Sequence, residues 1–155
     1  MIGEQADALV LFGITGDLAK KKLIPALYEL TAEGRLDMPV VGTARSQWSD
    51  ERLADHVRDV LQGRDEATVD RLCSHLSYVE GDYQSPSVYD LISEKLGGAR
   101  LPVFFMAIPP SLFDDVATGL AGVGFATNGR LVVEKPFGRD LASAIELNEM
   151  LHANN

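Results

Sequence analysis

Ala8-Leu9-Val10-Leu11-Phe12-Gly13-Ile14-Thr15-Gly16-Asp17-Leu18-Ala19-Lys20 is the stretch on which the fold turns. Its first five residues form a compact apolar run that ends in glycine, the pattern of a strand buried on both faces. Gly13 allows a tight turn off that strand. Gly16 leaves bare backbone where a helix begins, so that the free N–H groups of the first helical turn point outward at an anion. Pro25 removes a hydrogen bond from this helix and clashes with its preceding turn, which predicts a break or kink there.

Outward from this unit, short apolar runs alternate with amphipathic segments. Pro39-Val40-Val41-Gly42, Leu76-Ser77-Tyr78-Val79, Val103-Phe104-Phe105-Met106-Ala107-Ile108 and Leu131-Val132-Val133 read as four further strands, the last two stopped by Pro109-Pro110 and by Glu134-Lys135-Pro136. Between them, Leu53, Val57, Val60 and Leu61 repeat at helical spacing behind a Ser49 cap. Val88, Leu91, Ile92 and Leu96 do so before Gly97-Gly98, as do Leu112, Val116 and Leu120. Leu141, Ala144, Ile145, Asn148 and Leu151 predict a closing helix behind Asp140. Strand and helix in alternation imply right-handed crossovers and an α/β fold, a doubly wound parallel sheet with helices on both faces.

The 155 residues suit one domain, and a 46% apolar share excludes wholesale disorder. Fourteen Lys and Arg stand against 23 Asp and Glu, a net charge of −9. Such a surface repels a nucleic-acid backbone, so any phosphate must be held by a local device. A single cysteine, Cys73, excludes a disulfide framework and suits a reducing compartment. His56, His75 and His152 form no metal-like spacing with it and no catalytic constellation. The acidic start has no signal-peptide pattern, and Val103 to Ile108 is far too short to span a bilayer. The expectation is a soluble, cytoplasmic domain with no nucleic-acid or membrane partner.

In such sheets ligands sit beyond the carboxyl ends of the strands, so the residues after each run are the candidates. The Gly13–Lys20 turn is neither a full G-x-G-x-x-G, since Thr15 and Leu18 replace two glycines, nor a P-loop. Glycines alone fit an ordinary turn into a capped helix equally well; the position after the first buried strand favours a dinucleotide diphosphate. Asp17 repels such a group, and Lys20-Lys21-Lys22 partly offsets it. NAD-binding sheets place an acid near the end of the second strand to grip the ribose. Here Gly42-Thr43-Ala44 ends in Arg45-Ser46, and a guanidinium pairs bidentately with a 2′-phosphate, so NADP is favoured over NAD. Glu134-Lys135-Pro136 puts an ammonium at the mouth of the sheet's middle, although a surface Glu–Lys pair reads equally well. Ala107-Ile108-Pro109-Pro110 stiffens the exit of the fourth strand.

Taken together, Gly13–Lys22, Gly42–Ser46, Ala107–Pro110 and Val133–Leu141 resemble, in order and spacing, the Rossmann-like coenzyme domain of the glucose-6-phosphate dehydrogenase family. The resemblance implies oxidation of glucose 6-phosphate at C1, with hydride passing to NADP, at the entry of the pentose phosphate pathway. It implies that Gly13, Ile14, Thr15, Gly16, Asp17, Leu18, Ala19 and Lys20 hold the diphosphate and Arg45 the 2′-phosphate. Asp82 and Tyr83 would also touch the coenzyme, Lys135 would lie between nicotinamide and sugar, and Pro136 would help to set the nicotinamide. The family's catalytic histidine, in an Asp-His-Tyr-Leu-Gly-Lys segment, and its larger substrate and dimerisation domain fall beyond Asn155. Residues 1–155 are therefore expected to be one NADP-binding domain, monomeric and inactive alone, from an enzyme that is a homo-oligomer when whole. Two other readings are a two-domain NADP oxidoreductase of the glucose–fructose oxidoreductase type, which usually keeps the full glycine fingerprint, and a stand-alone NADP-binding or redox-sensing module.

Overall fold

The computed structural model describes residues 7–125, 130–134 and 142–146. Strands β1 (Ala8–Phe12), β2 (Val40–Ala44), β3 (Leu76–Glu80), β4 (Pro102–Met106) and β5 (Arg130–Glu134) are parallel where they pair. They form one sheet with β6 (Ala142–Glu146), in the order β3-β2-β1-β4-β5-β6. Strand order reverses between β1 and β4, which is where a doubly wound sheet opens a crevice. Phe12 lies level with Thr43 on one side and Met106 on the other, so the carboxyl ends of β1, β2 and β4 are flush.

The period of two along each strand sorts side chains into two cores. Ala8, Val10 and Phe12 join Val41, Phe104 and Met106 on one face, beneath α4 (Pro86–Leu96) and α5 (Phe113–Gly122). Leu11 joins Val40 and Ala44 on the other face, beneath α1 (Ile24–Ala32), α2 (Asp50–Val60) and α3 (Glu66–Ser74). Apolar residues of both parities are buried, and that is why the strands read as continuous apolar runs rather than alternating ones.

The helices bear out the caps and breaks read from sequence, and add one element. Ser49 Oγ accepts the Arg52 N–H at 3.1 Å to open α2, and Gly97 ends α4 in the left-handed region at φ +58°. Ahead of Pro25 the helix widens into a π-helical turn, Ala19–Leu23, before α1 resumes with the proline in its first turn. Helix α3 has no counterpart in the reading above: Asp65 caps it through the Thr68 N–H at 3.0 Å, and Val69 and Leu72 are its buried apolar residues.

The closing helix is a correction. Residues 142–146 form β6, antiparallel to β5, with Leu131 opposite Ile145 and Glu134 opposite Ala142. Helical spacing is counted on side chains, whereas the open edge of β5 offers a row of unpaired backbone groups that a neighbouring extended segment satisfies. Asp140, the expected cap, lies outside the described residues.

Candidate functional site

The turn after β1 is held from three sides. The Gly13 and Ile14 N–H groups donate to the Thr43 carbonyl at 2.9 and 3.3 Å, and Gly16 N–H closes the turn onto the Gly13 carbonyl at 3.0 Å. Ala107 N–H donates to the Phe12 carbonyl at 2.9 Å, which brings the exit of β4 against the turn. Gly13 sits at φ +87°, and a Cβ there would lie 2.1 Å from the Ala107 oxygen. Only glycine meets both conditions.

Gly16 differs. It is exposed, and the nearest atom to an added Cβ is the Gly13 oxygen at an ordinary 3.4 Å. The fold does not require glycine there, but a close ligand would. Ile14 and Ala19 are fully buried and anchor the loop through their side chains. Thr15, Gly16, Asp17 and Lys20 stay at or near the surface. The opening N–H groups of the helix that follows lack intrahelical acceptors, as at any helix start. Bare backbone at Gly16 and these donors fit a diphosphate.

The loop after β2 stands beside this turn. Arg45 is exposed at the strand end, and Ser46 Oγ donates to Thr15 Oγ1 at 3.4 Å, tying the two loops together. The Tyr78 hydroxyl donates to the Ser46 carbonyl at 2.6 Å, and Asp50 accepts the Tyr78 N–H at 2.7 Å. Asp50 thus serves the sheet edge at β3 and is not directed to a ribose. Two residues that sequence reasoning passed over lie just beyond. The Arg52 guanidinium sits 5.1 Å above the Trp48 ring, which in turn meets His56 at 5.0 Å and Tyr78 at 6.1 Å. Trp48 and Arg52 are four apart across the start of α2, and that spacing was the available signal.

Asp82 and Tyr83 follow β3, but their side chains part. Asp82 is exposed and accepts the Gln84 N–H at 2.9 Å in a turn. Tyr83 is buried edge-on to Phe12 at 5.6 Å, and its hydroxyl donates to the Thr43 carbonyl at 3.2 Å. Burial pushes its phenol up to about 12, so it stays a neutral donor. That carbonyl is the one that receives Gly13 and Ile14, so Tyr83 braces the glycine turn from below. Lys135 and Pro136 lie outside the described residues; β5 ends at Glu134, immediately before them.

Residues 10–154 match the family model described as glucose-6-phosphate dehydrogenase, NAD binding domain. The chain is 43% identical over 155 residues to glucose-6-phosphate 1-dehydrogenase 1 of Mycobacterium bovis, across 97% of this chain and 33% of that protein. A crystal structure of glucose-6-phosphate 1-dehydrogenase from Mycobacterium avium superposes with a TM-score of 0.81 at 38% identity, over 97% of this chain and 33% of the other. A glucose-6-phosphate dehydrogenase in complex with glucose 6-phosphate does so at 0.73 and 33% identity, over 97% and 34%. The chain spans about a third of the length of these relatives.

Proposed function

The chain belongs to the glucose-6-phosphate dehydrogenase family through its NAD binding domain, and from that membership we propose that it binds NADP as the coenzyme part of an enzyme oxidising glucose 6-phosphate. The observation that carries this reading is the paired loops beyond β1 and β2, beside the sheet's switch point. A glycine turn shaped for a diphosphate is tied through Thr15 and Ser46 to a strand end bearing Arg45.

In this reading the bare Cα of Gly16 and the N–H groups of Thr15, Asp17 and Leu18 face the diphosphate, while Gly13, Ile14 and Ala19 fix the backbone that presents them, and Lys20 lends its charge. Arg45 pairs with the 2′-phosphate, and Asp82 lies at the adenosine end. Tyr83 acts through the Thr43 carbonyl, as a positioning residue. Lys135, directly after β5, bridges nicotinamide and sugar, and Pro136 shapes the nicotinamide's seat. When bound, the coenzyme would supply the acceptor for the hydride from C1, the proton of the C1 hydroxyl passing to a base as 6-phosphogluconolactone forms. The reaction, the entry of the pentose phosphate pathway, belongs to the whole enzyme, proposed to be a cytoplasmic homo-oligomer. Among the described residues no helix is long and apolar enough to cross a membrane.

Calorimetric titration of the chain with NADP and NAD tests the coenzyme assignment. NADP is expected to bind more tightly. Equal affinity, or no binding of either, would refute it.

A further inference from the structure

Beside Arg45 lies a second, unassigned cation. A cavity of about 460 Å³ opens between the start of α2 and the end of β3, lined by Gln47, Trp48, Ser49, Arg52 and Glu80. Glu80 pairs in register with Ala44, the residue before Arg45, so the cavity adjoins the strand end that carries the arginine. Trp48 meets both His56 and Tyr78, and the Arg52 guanidinium lies over its ring. Stacking on an indole restricts a long side chain without consuming its N–H donors, which remain free for an oxyanion.

Charge decides what this pocket can accept. A phosphate monoester carries nearly two negative charges at neutral pH. Arg45 alone supplies a single positive charge, in a chain whose net charge is already −9. A second guanidinium corrects that imbalance. We propose that Arg52, stacked on Trp48, is a further specificity residue for NADP, reaching from the cavity that it lines toward a 2′-phosphate held at Arg45. This rests on the NADP reading above and extends it to residues outside the glycine turn and the strand end.

Trp48 is the single tryptophan, so its emission reports on this cavity directly. Titration with adenosine 2′,5′-bisphosphate is expected to change that emission, and 5′-AMP to change it far less. In calorimetry, Arg52→Ala should weaken NADP by about tenfold, the scale of one charge-assisted contact, and leave NAD within about twofold. Arg52→Lys should keep part of the preference, because the charge remains while the fork is lost. Glu80→Gln should tighten NADP, since it removes a like charge from the pocket. Arg52 is exposed, so an unchanged far-ultraviolet spectrum of Arg52→Ala verifies the fold.

If the unsubstituted chain prefers NADP but Arg52→Ala affects both coenzymes equally or neither, this inference falls and the coenzyme reading stands. If the unsubstituted chain binds NADP no better than NAD, both fall together.

Discussion

The turn after β1 and the loop after β2 lie side by side, yet they are built on opposite principles. The first is set by backbone: three N–H groups, one shared carbonyl and a glycine pressed against the exit of β4. The second is set by side chains, with Arg45 exposed and Arg52 propped on an aromatic stack. A surface made of backbone donors and bare Cα atoms suits a diphosphate, whichever nucleotide carries it. A surface made of guanidinium groups distinguishes one nucleotide from another. In the proposed reading, shape is thus common to both coenzymes, and charge separates them.

The sharpest way to break this division is Gly13→Ala. A methyl group there meets the Ala107 oxygen and sits at a φ that other residues avoid, so a loss of about 3 kcal/mol in folding stability is expected, along with binding of both coenzymes. Urea unfolding measures it, and a stable variant would show that the turn is not backbone-limited. Arg45→Glu comes next. It should weaken NADP by about 2–3 kcal/mol and leave NAD nearly unchanged by calorimetry; equal losses would move Arg45 to the shape side of the comparison.

Gly16→Ala separates the two glycines of one turn. Its added methyl meets only ordinary contact in the folded chain, so stability should shift by no more than about 0.5 kcal/mol. Both coenzymes should weaken alike, by about tenfold, because the methyl stands where the diphosphate approaches. Discrimination between NADP and NAD after this change would place Gly16 on the charge side.

The smallest effect concerns the support of the charged loop. His56 Nε2 is buried with no hydrogen-bond partner among the described residues. Burial, and then Lys20 and Arg52, hold its pKa below the ordinary 6.5, against an opposing pull from Asp59. The unfolded chain therefore binds the proton more readily than the folded one. The contribution of neutral His56 is complete above 6.5 and declines as pH falls through the lowered value. Thermal midpoints of the parent chain should drop slightly just below pH 6.5, and His56→Phe should flatten that slope. An identical slope in both would assign it to other groups.

The sequence made the shape side more legible than the charge side. Gly13 announces itself because few residues tolerate such a turn, and β1 does so because burial on two faces demands an unbroken apolar run. Arg45 was visible through its place at a strand end. Trp48 and Arg52 were not, since their meaning depends on which elements lie opposite, and Glu80 arrives from a strand 28 residues beyond Arg52. The resemblance groups Tyr83 with Asp82 as a coenzyme contact, yet its hydroxyl is turned inward to Thr43. Helix α3 was hidden because two apolar residues do not make a visible period.

By itself, then, the sequence determined the class of fold, the order of the strands up to β5 with every helix between them but α3, and the loops at which a dinucleotide is proposed to meet the sheet. These follow from local burial patterns and from the backbone freedom of particular residues. Tertiary structure alone decided that Ala107 forbids a side chain at Gly13, that one carbonyl of Thr43 gathers Gly13, Ile14 and Tyr83, and that residues 142–146 pair with β5 as a strand. Each of these depends on groups far apart in the chain meeting within hydrogen-bond or van der Waals distance, and no local periodicity encodes such a meeting.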